Sequence, residues 1–185
     1  MLRRRQKIEG MIGDKEEALL TRLAGEVEEG CIVEIGSYRG MSTIALAKGA
    51  CVPVYAIEPH EHFQGVLGGT FGPADRRAFF ENLLRAGVVE RVRLVNLSSE
   101  VVTPGWQLPV GLLWIDGDHR YAAVRRDFYC WEPHLLGNVA FHDAIQPKLG
   151  PTQLIDELLA GDFELVEHIQ GTKVLRRRRG MIDPH

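Results

Sequence analysis

The stretch Val33-Glu34-Ile35-Gly36-Ser37-Tyr38-Arg39-Gly40 runs from a short apolar segment into a turn between two glycines, and a helical pattern follows it. Further along, the apolar segment 52–57 ends in Glu58. A glycine turn after one strand and an acid at the tip of the next are typical of α/β sheets that bind a nucleoside. The turn lets the ligand approach the backbone, and the acid accepts hydrogen bonds from the ribose hydroxyls. The pattern therefore predicts an α/β fold and a nucleoside-like cofactor.

Strand and helix patterns alternate along the rest of the chain. Apolar runs predict strands at 31–35, 52–57, 92–97, 110–115 and 139–141, and an antiparallel pair at 163–169 and 173–175. Apolar residues at helical spacing predict helices at 14–29, 42–48, 75–86, 121–135 and 152–160. This alternation predicts a Rossmann-like, doubly wound and mostly parallel sheet with an antiparallel C-terminal strand pair and helices on both faces.

Three local features add detail to this prediction. Asp14 is placed to cap the first helix, and residues 60–74, which contain four glycines, are a candidate lid or binding loop. In helix 75–86 we expect the large apolar side chains to face the core, namely Phe79, Phe80, Leu83 and Leu84.

The composition indicates an ordinary globular protein. The chain has 185 residues, a net charge of −3, 45% hydrophobic residues and 25% charged residues, which fits one domain. The charge argues against nucleic acid as the main partner. We expect an N-terminal extension at 1–13, one domain at 14–175 and a basic tail at 176–185, with the arginine runs at 3–5 and 176–179 solvated.

The cysteines and the hydropathy predict the compartment. The three cysteines, Cys31, Cys51 and Cys130, are odd in number and form no Cys-x-x-Cys motif, and no secretory leader is visible. These features favour a reducing, cytoplasmic context. No apolar run approaches the roughly 20 residues of a membrane helix, so we expect no membrane partner.

The turn at residues 36–40 indicates which nucleoside cofactor binds. A dinucleotide site needs a second glycine for close pyrophosphate approach, and Tyr38 occupies that place. Glu34 would repel a phosphate but could attract an ammonium group, directly or through water. S-adenosylmethionine (SAM) carries an amino acid, a sulfonium and a ribose but no phosphate, so the turn suits SAM better than NAD. Ser98 and Ser99 follow a predicted strand and could bind the adenine edge, or form an ordinary turn.

Two carboxylates end neighbouring predicted strands. Asp116 follows the run 110–115, and Asp143 follows 139–141 with His142 beside it. Converging carboxylates are costly unless a cation or a proton lies between them. The residues therefore predict a divalent metal site, and an imidazole ligand would shift its preference toward manganese, iron or zinc.

These motifs resemble a known family. The stretch 33–42 looks like motif I of class I SAM-dependent methyltransferases, and 114–121, with Asp127, 131–133 and 141–143, is similar to its small metal-dependent O-methyltransferase branch. This branch contains catechol and macrocin-type sugar O-methyltransferases and cephalosporin hydroxylase-like proteins. The resemblance spans about residues 14–175.

The resemblance implies a set of site residues. In such relatives the acid at the first strand end and the acidic or amide residues at the second hold magnesium, which maps onto Asp116 and Asp143, with His142 in the adjacent ligand position. Alternatively, His142 points away and only Asp143 binds at the second strand end. The Asp-x-x-His spacing of these relatives makes His119 a general base, since a histidine pKa near 6.5 suits proton removal at neutral pH. The expected cofactor-binding residues are Glu34, Gly36, Ser37, Tyr38, Gly40, Ser42, Glu58, Ser98, Ser99 and Asp116.

The resulting hypothesis is a SAM-dependent O-methyltransferase assisted by Mg²⁺ or Mn²⁺. Its acceptor would be a hydroxyl of a sugar or polyol-like small molecule, where two oxygens can chelate the metal. The alternatives are a catechol-like acceptor, a NAD- or nucleotide-binding protein, and a non-catalytic SAM-binding subunit. A homo-oligomer whose partner protomer completes the pocket is a further hypothesis.

Overall fold

A computed structural model describes residues 10–178 of the chain. Its helices are α1 (Asp14–Gly25), α2 (Met41–Gly49), α3 (Pro73–Ala86), α4 (Ser99–Val102), α5 (Tyr121–Trp131) and α6 (Gly150–Ala160). Its strands are β1 (Cys31–Ile35), β2 (Val54–Ile57), β3 (Phe63–Gln64), β4 (Thr70–Phe71), β5 (Val92–Val95), β6 (Val110–Ile115), β7 (Leu135–Phe141), β8 (Phe163–Ile169) and β9 (Thr172–Arg177). Within 10–178, no helix has the length and hydropathy to cross a membrane. The predicted extension and tail lie mostly outside the described residues.

One seven-stranded sheet organises the fold. Its order is β5-β2-β1-β6-β7-β9-β8, and β3 and β4 form a separate hairpin. The first five strands of this order are parallel, and β9 is antiparallel to both of its neighbours. The chain winds outward from β1 in one direction and from β6 in the other, which makes the gap between β1 and β6 the switch point. The predicted doubly wound sheet with its antiparallel C-terminal pair is confirmed.

Apolar side chains fill both faces of the sheet. Successive residues of a strand point to opposite faces, so Ile32 packs in the core beneath α1, α2 and α3, whereas Val33 packs in the core beneath α5 and α6. Because both faces are covered, the parallel strands read as continuous apolar runs rather than as alternating ones.

Several predicted helix boundaries and core positions were wrong. The first helix ends at Gly25, four residues early, and Gly13 precedes it as the N-cap, so Asp14 is not the cap. Glu16 performs that function by accepting the Gly13 N–H at 3.0 Å. In α3, the predicted core residues Phe80 and Leu84 are 42% and 64% exposed, because the helix packs through only one face.

The strand ends and the glycine-rich loop also differ from the prediction. Strand β5 stops at Val95, and β7 starts at Leu135, four residues before its predicted start. The helix predicted to reach residue 135 ends at Trp131. A short 3₁₀ turn that contains Pro133 follows it. The predicted loop 60–74 contains the β3–β4 hairpin, and its last residues begin α3.

A buried acid joins β1 to α2. Glu34 is fully buried, and its carboxylate accepts a hydrogen bond from the Ser42 hydroxyl at 2.5 Å and another from the Thr43 hydroxyl. Burial raises the pKa of Glu34 to about 8, and the two hydroxyl donors only partly oppose this shift. At neutral pH the folded protein therefore holds Glu34 mainly in its protonated form.

Replacing Glu34 with glutamine should change how stability depends on pH. The folded pKa near 8 exceeds the ordinary value of 4.5, so unfolding releases a proton between these values and stability falls as pH rises. This slope approaches about 1.4 kcal/mol per pH unit. Urea titrations from pH 5 to 8 should show this fall for the unmodified protein and a flatter profile for Glu34→Gln. The exposed Glu28→Gln change is the control, and parallel profiles for all three proteins would contradict the prediction.

Candidate active site

A cavity of about 420 Å³ lies at the carboxyl ends of the parallel strands. Its lining includes residues that directly follow strands: Gly36 after β1, Glu58 after β2, and Asp116 after β6. The backbone ladder continues into the site, since the Asp116 N–H donates to the Ile35 carbonyl at 2.8 Å. Strand pairing thus fixes the positions of the candidate residues.

The turn after β1 needs glycine. Gly36 has φ +84, and a Cβ atom there would lie 2.3 Å from the Asp116 carbonyl oxygen. Gly40 has φ +85 and is the N-cap of α2. Between them, Tyr38 lines the cavity, and its N–H donates to Glu58 at 3.2 Å. The turn therefore passes close to the β6 strand end and is held by the acid that follows β2.

Glu58 connects two turns while facing the cavity. One carboxylate oxygen accepts the Tyr38 N–H and the other accepts the His60 N–H at 2.9 Å. A carboxylate has about four acceptor positions, so both oxygens keep capacity for a ligand hydroxyl. His60 is buried, and its Nε2 lies 3.0 Å from the Tyr38 carbonyl oxygen. The predicted ribose contact of Glu58 stays a prediction, compatible with this position.

The other predicted cofactor residues lie at different depths. The cavity is lined by Ser42, Ser98 and Ser99. Among residues 10–178, the lining does not include Glu34, Ser37 or Gly40. Since the pKa of Glu34 is raised to about 8, it carries little negative charge at neutral pH. The expected attraction of Glu34 for an ammonium group is weakened for this reason.

Three predicted metal ligands converge at one rim of the cavity. Asp116, His142 and Asp143 each offer a ligand atom, and these atoms all lie within 4.8 Å of one another. His142 Nδ1 is 3.0 Å from an Asp116 carboxylate oxygen and 3.7 Å from an Asp143 oxygen. We call these three residues the rim cluster. Two carboxylates and an imidazole at this spacing fit a divalent cation.

His119 approaches the rim cluster from the loop before α5. Its Nε2 lies 3.4 Å from an Asp116 oxygen and 3.7 Å from an Asp143 oxygen. The His119 carbonyl accepts the Gly150 N–H at 2.8 Å, which fixes its backbone against the start of α6. The predicted base therefore lines the cavity together with two of the predicted ligands, Asp116 and Asp143.

Charge inside the site shifts three pKa values. Burial alone would raise the pKa of Asp116, but His142 and His119 outweigh it and the pKa is lowered. Burial alone would lower the pKa of His142, yet Asp116, Asp143 and Glu16 raise it to about 9. The pKa of His119 is also raised, since contact with Asp116 overcomes the effect of burial. Without another cation, the carboxylates favour protonated imidazoles, and the role of His119 as a general base stays a prediction.

The β3–β4 hairpin supplies an aromatic wall. Phe71 packs edge-on against Tyr38, with ring centroids 5.1 Å apart, and stacks near Phe63 at 5.7 Å. All three line the cavity. Arg120 lies over the Phe63 ring at 5.6 Å. Trp106 instead packs on Trp131 at 4.9 Å, away from the wall.

Comparison with known proteins identifies the family. A family model described as a methyltransferase domain matches residues 33–144, which is more than half of the chain. The chain belongs to this methyltransferase family. The matched segment starts in β1 and ends just after the rim cluster, so it includes every predicted site residue. The resemblance to class I methyltransferases is confirmed.

Solved structures with the same fold include several O-methyltransferases. NovP is 18% identical, with a TM-score of 0.73 over 92% of this methyltransferase and 82% of NovP. TomG from Streptomyces achromogenes, solved with SAM and involved in tomaymycin synthesis, is 16% identical to this chain. The TM-score is 0.69 over 90% of this chain and 81% of TomG. An O-methyltransferase from Bacillus cereus, solved with SAH, is 16% identical, with a TM-score of 0.69 over 89% of this chain and 82% of the Bacillus cereus chain. At these identities the likeness shows the fold alone.

Two site residues were not assigned from the sequence. Glu16 of α1 lies 3.5 Å from His142 Nε2, and no local motif connects these residues because they are far apart in the chain. Asp127 of α5 lines the cavity, and burial raises its pKa to about 6, although the Ser99 hydroxyl and Arg126 oppose the shift. Asp127 occurs in the quoted motif, so its spacing from Asp116 was the available signal.

The two glycines Gly36 and Gly87 allow a matched test of the crowded turn. Both have positive φ, but a Cβ at Gly87 would meet nothing within 4 Å. Gly87→Ala should cost about 1–2 kcal/mol of unfolding free energy from backbone strain alone. Gly36→Ala adds a clash with the Asp116 carbonyl and should cost clearly more. Chemical denaturation measures both values, and equal losses would contradict the close approach.

Proposed function

We propose that this methyltransferase transfers a methyl group from SAM to a hydroxyl oxygen of a small molecule, with a divalent metal ion at the rim cluster. The observation that carries the proposal is that His119, Asp116 and Asp143 line one cavity in a chain of this family, with His142 Nδ1 3.0 Å from Asp116. The neighbours named as O-methyltransferases and solved with SAM or SAH support the choice of donor and reaction.

SAM fits the end of the cavity near β1 and β2. Glu58 offers acceptor positions to a ribose diol, and Gly36 lines the cavity beside it. Ser98 and Ser99 line the cavity next to β5 and can bind the adenine edge. The absence of a second glycine at Tyr38 disfavours a pyrophosphate, and hence NAD.

The rim cluster suits Mg²⁺ or Mn²⁺. Asp116 and Asp143 would supply hard oxygen ligands, which Mg²⁺ prefers, and ligation by His142 Nδ1 would shift the preference toward Mn²⁺. A bound cation also resolves the electrostatic problem of two neighbouring carboxylates. When bound, the metal lowers the pKa of an acceptor hydroxyl, as metals do for water.

His119 is the proposed general base. Its Nε2 faces the space beside Asp116 and Asp143 and has no hydrogen-bond partner with standard geometry among residues 10–178. The two carboxylates raise its pKa, so neutralising their charge would return His119 toward the range in which it accepts a proton at neutral pH. Proton removal by His119 would leave the acceptor oxygen free to attack the SAM methyl carbon.

The acceptor we propose is a sugar or polyol, in which two adjacent oxygens can reach the cation. A catechol is the second candidate, because Tyr38, Phe63 and Phe71 give the cavity an aromatic wall on which a planar ring can stack. Both acceptors present neighbouring oxygens, and they differ in whether this wall contributes binding energy.

Calorimetry distinguishes the proposed cofactor from its alternative. We expect SAM and SAH to bind with similar heats, whereas NAD should give no saturable signal, because Tyr38 blocks close pyrophosphate approach. Glu58→Ala should weaken SAM binding at least tenfold through loss of the ribose contacts, while Glu90→Ala, at an exposed position outside the cavity lining, serves as its control. Tight binding of NAD without SAM binding would remove the proposal.

Turnover assays test the base, the metal and the acceptor. With methyl-labelled SAM and Mn²⁺, we expect His119→Ala to reduce transfer by about 10²- to 10⁴-fold while SAM affinity changes by less than twofold. Asp116→Ala should also abolish transfer, and the exposed His168→Ala should behave as the unmodified enzyme. Unchanged turnover of His119→Ala would refute its role. Vicinal-diol sugars and catechols form the acceptor panel, and turnover of catechols alone would select the second candidate.

A further inference from the structure

The buried acid Glu16 contacts the ring nitrogen of His142 that does not approach Asp116. Both side chains are almost fully buried, and Glu16 Oε1 lies 3.5 Å from His142 Nε2. The same oxygen accepts a hydrogen bond of 2.7 Å from the Thr172 hydroxyl. The N-terminal helix α1 thereby places a negative charge behind a proposed metal ligand.

The two nitrogens of His142 face different groups. Nδ1 points to Asp116 at 3.0 Å and to Asp143 at 3.7 Å, whereas Nε2 points to Glu16. The ring is buried beside Trp114, with ring centroids 5.7 Å apart. This packing limits rotation of the imidazole, so Nδ1 is the atom that faces the other two members of the rim cluster, Asp116 and Asp143.

The two oxygens of Glu16 also have separate partners. Oε2 accepts the Gly13 N–H at 3.0 Å and so caps α1. Oε1 faces Thr172 and His142 instead. Capping alone would be equally well served by an exposed side chain, and it does not require a carboxylate buried against β7 and β9. Oε1 is thus held by the Thr172 hydroxyl in a position where it can also accept from His142.

We propose that Glu16 is a positioning residue that accepts the Nε2–H of His142 and thereby holds Nδ1 ready to bind the metal ion. The inference rests on the proposed function, because it assumes the metal site at the rim cluster. A histidine ligand usually donates its other ring N–H to a carboxylate or carbonyl, which fixes the tautomer and makes the ligating nitrogen more basic.

Two substitutions of Glu16 separate this role from capping. Glu16→Ala removes both contacts, whereas Glu16→Gln can keep an oxygen toward Thr172 and His142 but then presents its amide nitrogen to the Gly13 N–H. Both variants therefore lose the cap and should lose similar thermal stability. Only Glu16→Ala should weaken Mn²⁺ binding strongly, by about 10- to 100-fold, and Glu16→Gln should retain most of the affinity.

Mn²⁺ titration of the full chain, monitored by calorimetry, is the experiment. Glu17→Ala, on the same helix but away from His142, is the control and should bind Mn²⁺ normally. The nitrogen chemical shifts of His142 in the Zn²⁺-loaded protein provide a second readout, with a bound Nδ1 and a protonated Nε2 expected. The Glu16→Ala variant should lose that pattern and Glu16→Gln should keep it.

The outcomes separate this inference from the proposed function. If the unmodified protein binds Mn²⁺ and both Glu16 variants bind it equally well or equally poorly, the positioning role is overturned and the metal site stands. If the unmodified protein binds no Mn²⁺ at millimolar concentration, the metal site itself fails and the positioning role fails with it. SAM affinity, measured in parallel, reports on the cofactor site independently.

Discussion

The site is organised by the concentration of negative charge where β6 and β7 end. Asp116 and Asp143 converge there, and a low-dielectric interior makes such proximity costly unless positive charge is nearby. In the described structure the imidazoles of His142 and His119 lie beside these carboxylates, which raise the pKa of both. The same requirement is what makes the location suitable for a metal ion and for chemistry at an acceptor oxygen.

The sheet makes this arrangement possible because it determines where chain segments end. Pairing of β1 with β6 brings Gly36 against the Asp116 backbone, and pairing of β6 with β7 brings His142 and Asp143 to the same rim. Apolar helices cover both faces of the sheet, so the carboxyl edge is the place where polar groups can gather around a ligand. The fold therefore supplies position, and a few side chains at the edge supply reactivity.

Structural features that depend on a short, local pattern of residues could be predicted from the sequence. The buried strands, the glycine turn and the acids at strand tips were predictable, since a continuous apolar run followed by a polar residue defines a strand end. The contact of Glu16 with His142 was not, because it depends on packing between elements distant in the chain. The exposure of Phe80 and Leu84 was missed for a related reason: helical spacing shows which residues share a face, but not how much of that face the neighbours cover.

The β3–β4 hairpin has a consequence for how this enzyme can diversify. It forms a two-stranded unit separate from the main sheet, and it contributes Phe63 and Phe71 of the aromatic wall without contributing to the rim cluster or to either core. Mutations in the hairpin can therefore change part of the cavity lining while both apolar cores and the rim cluster stay intact. Such changes should carry little penalty to stability, which leaves this segment free to diverge.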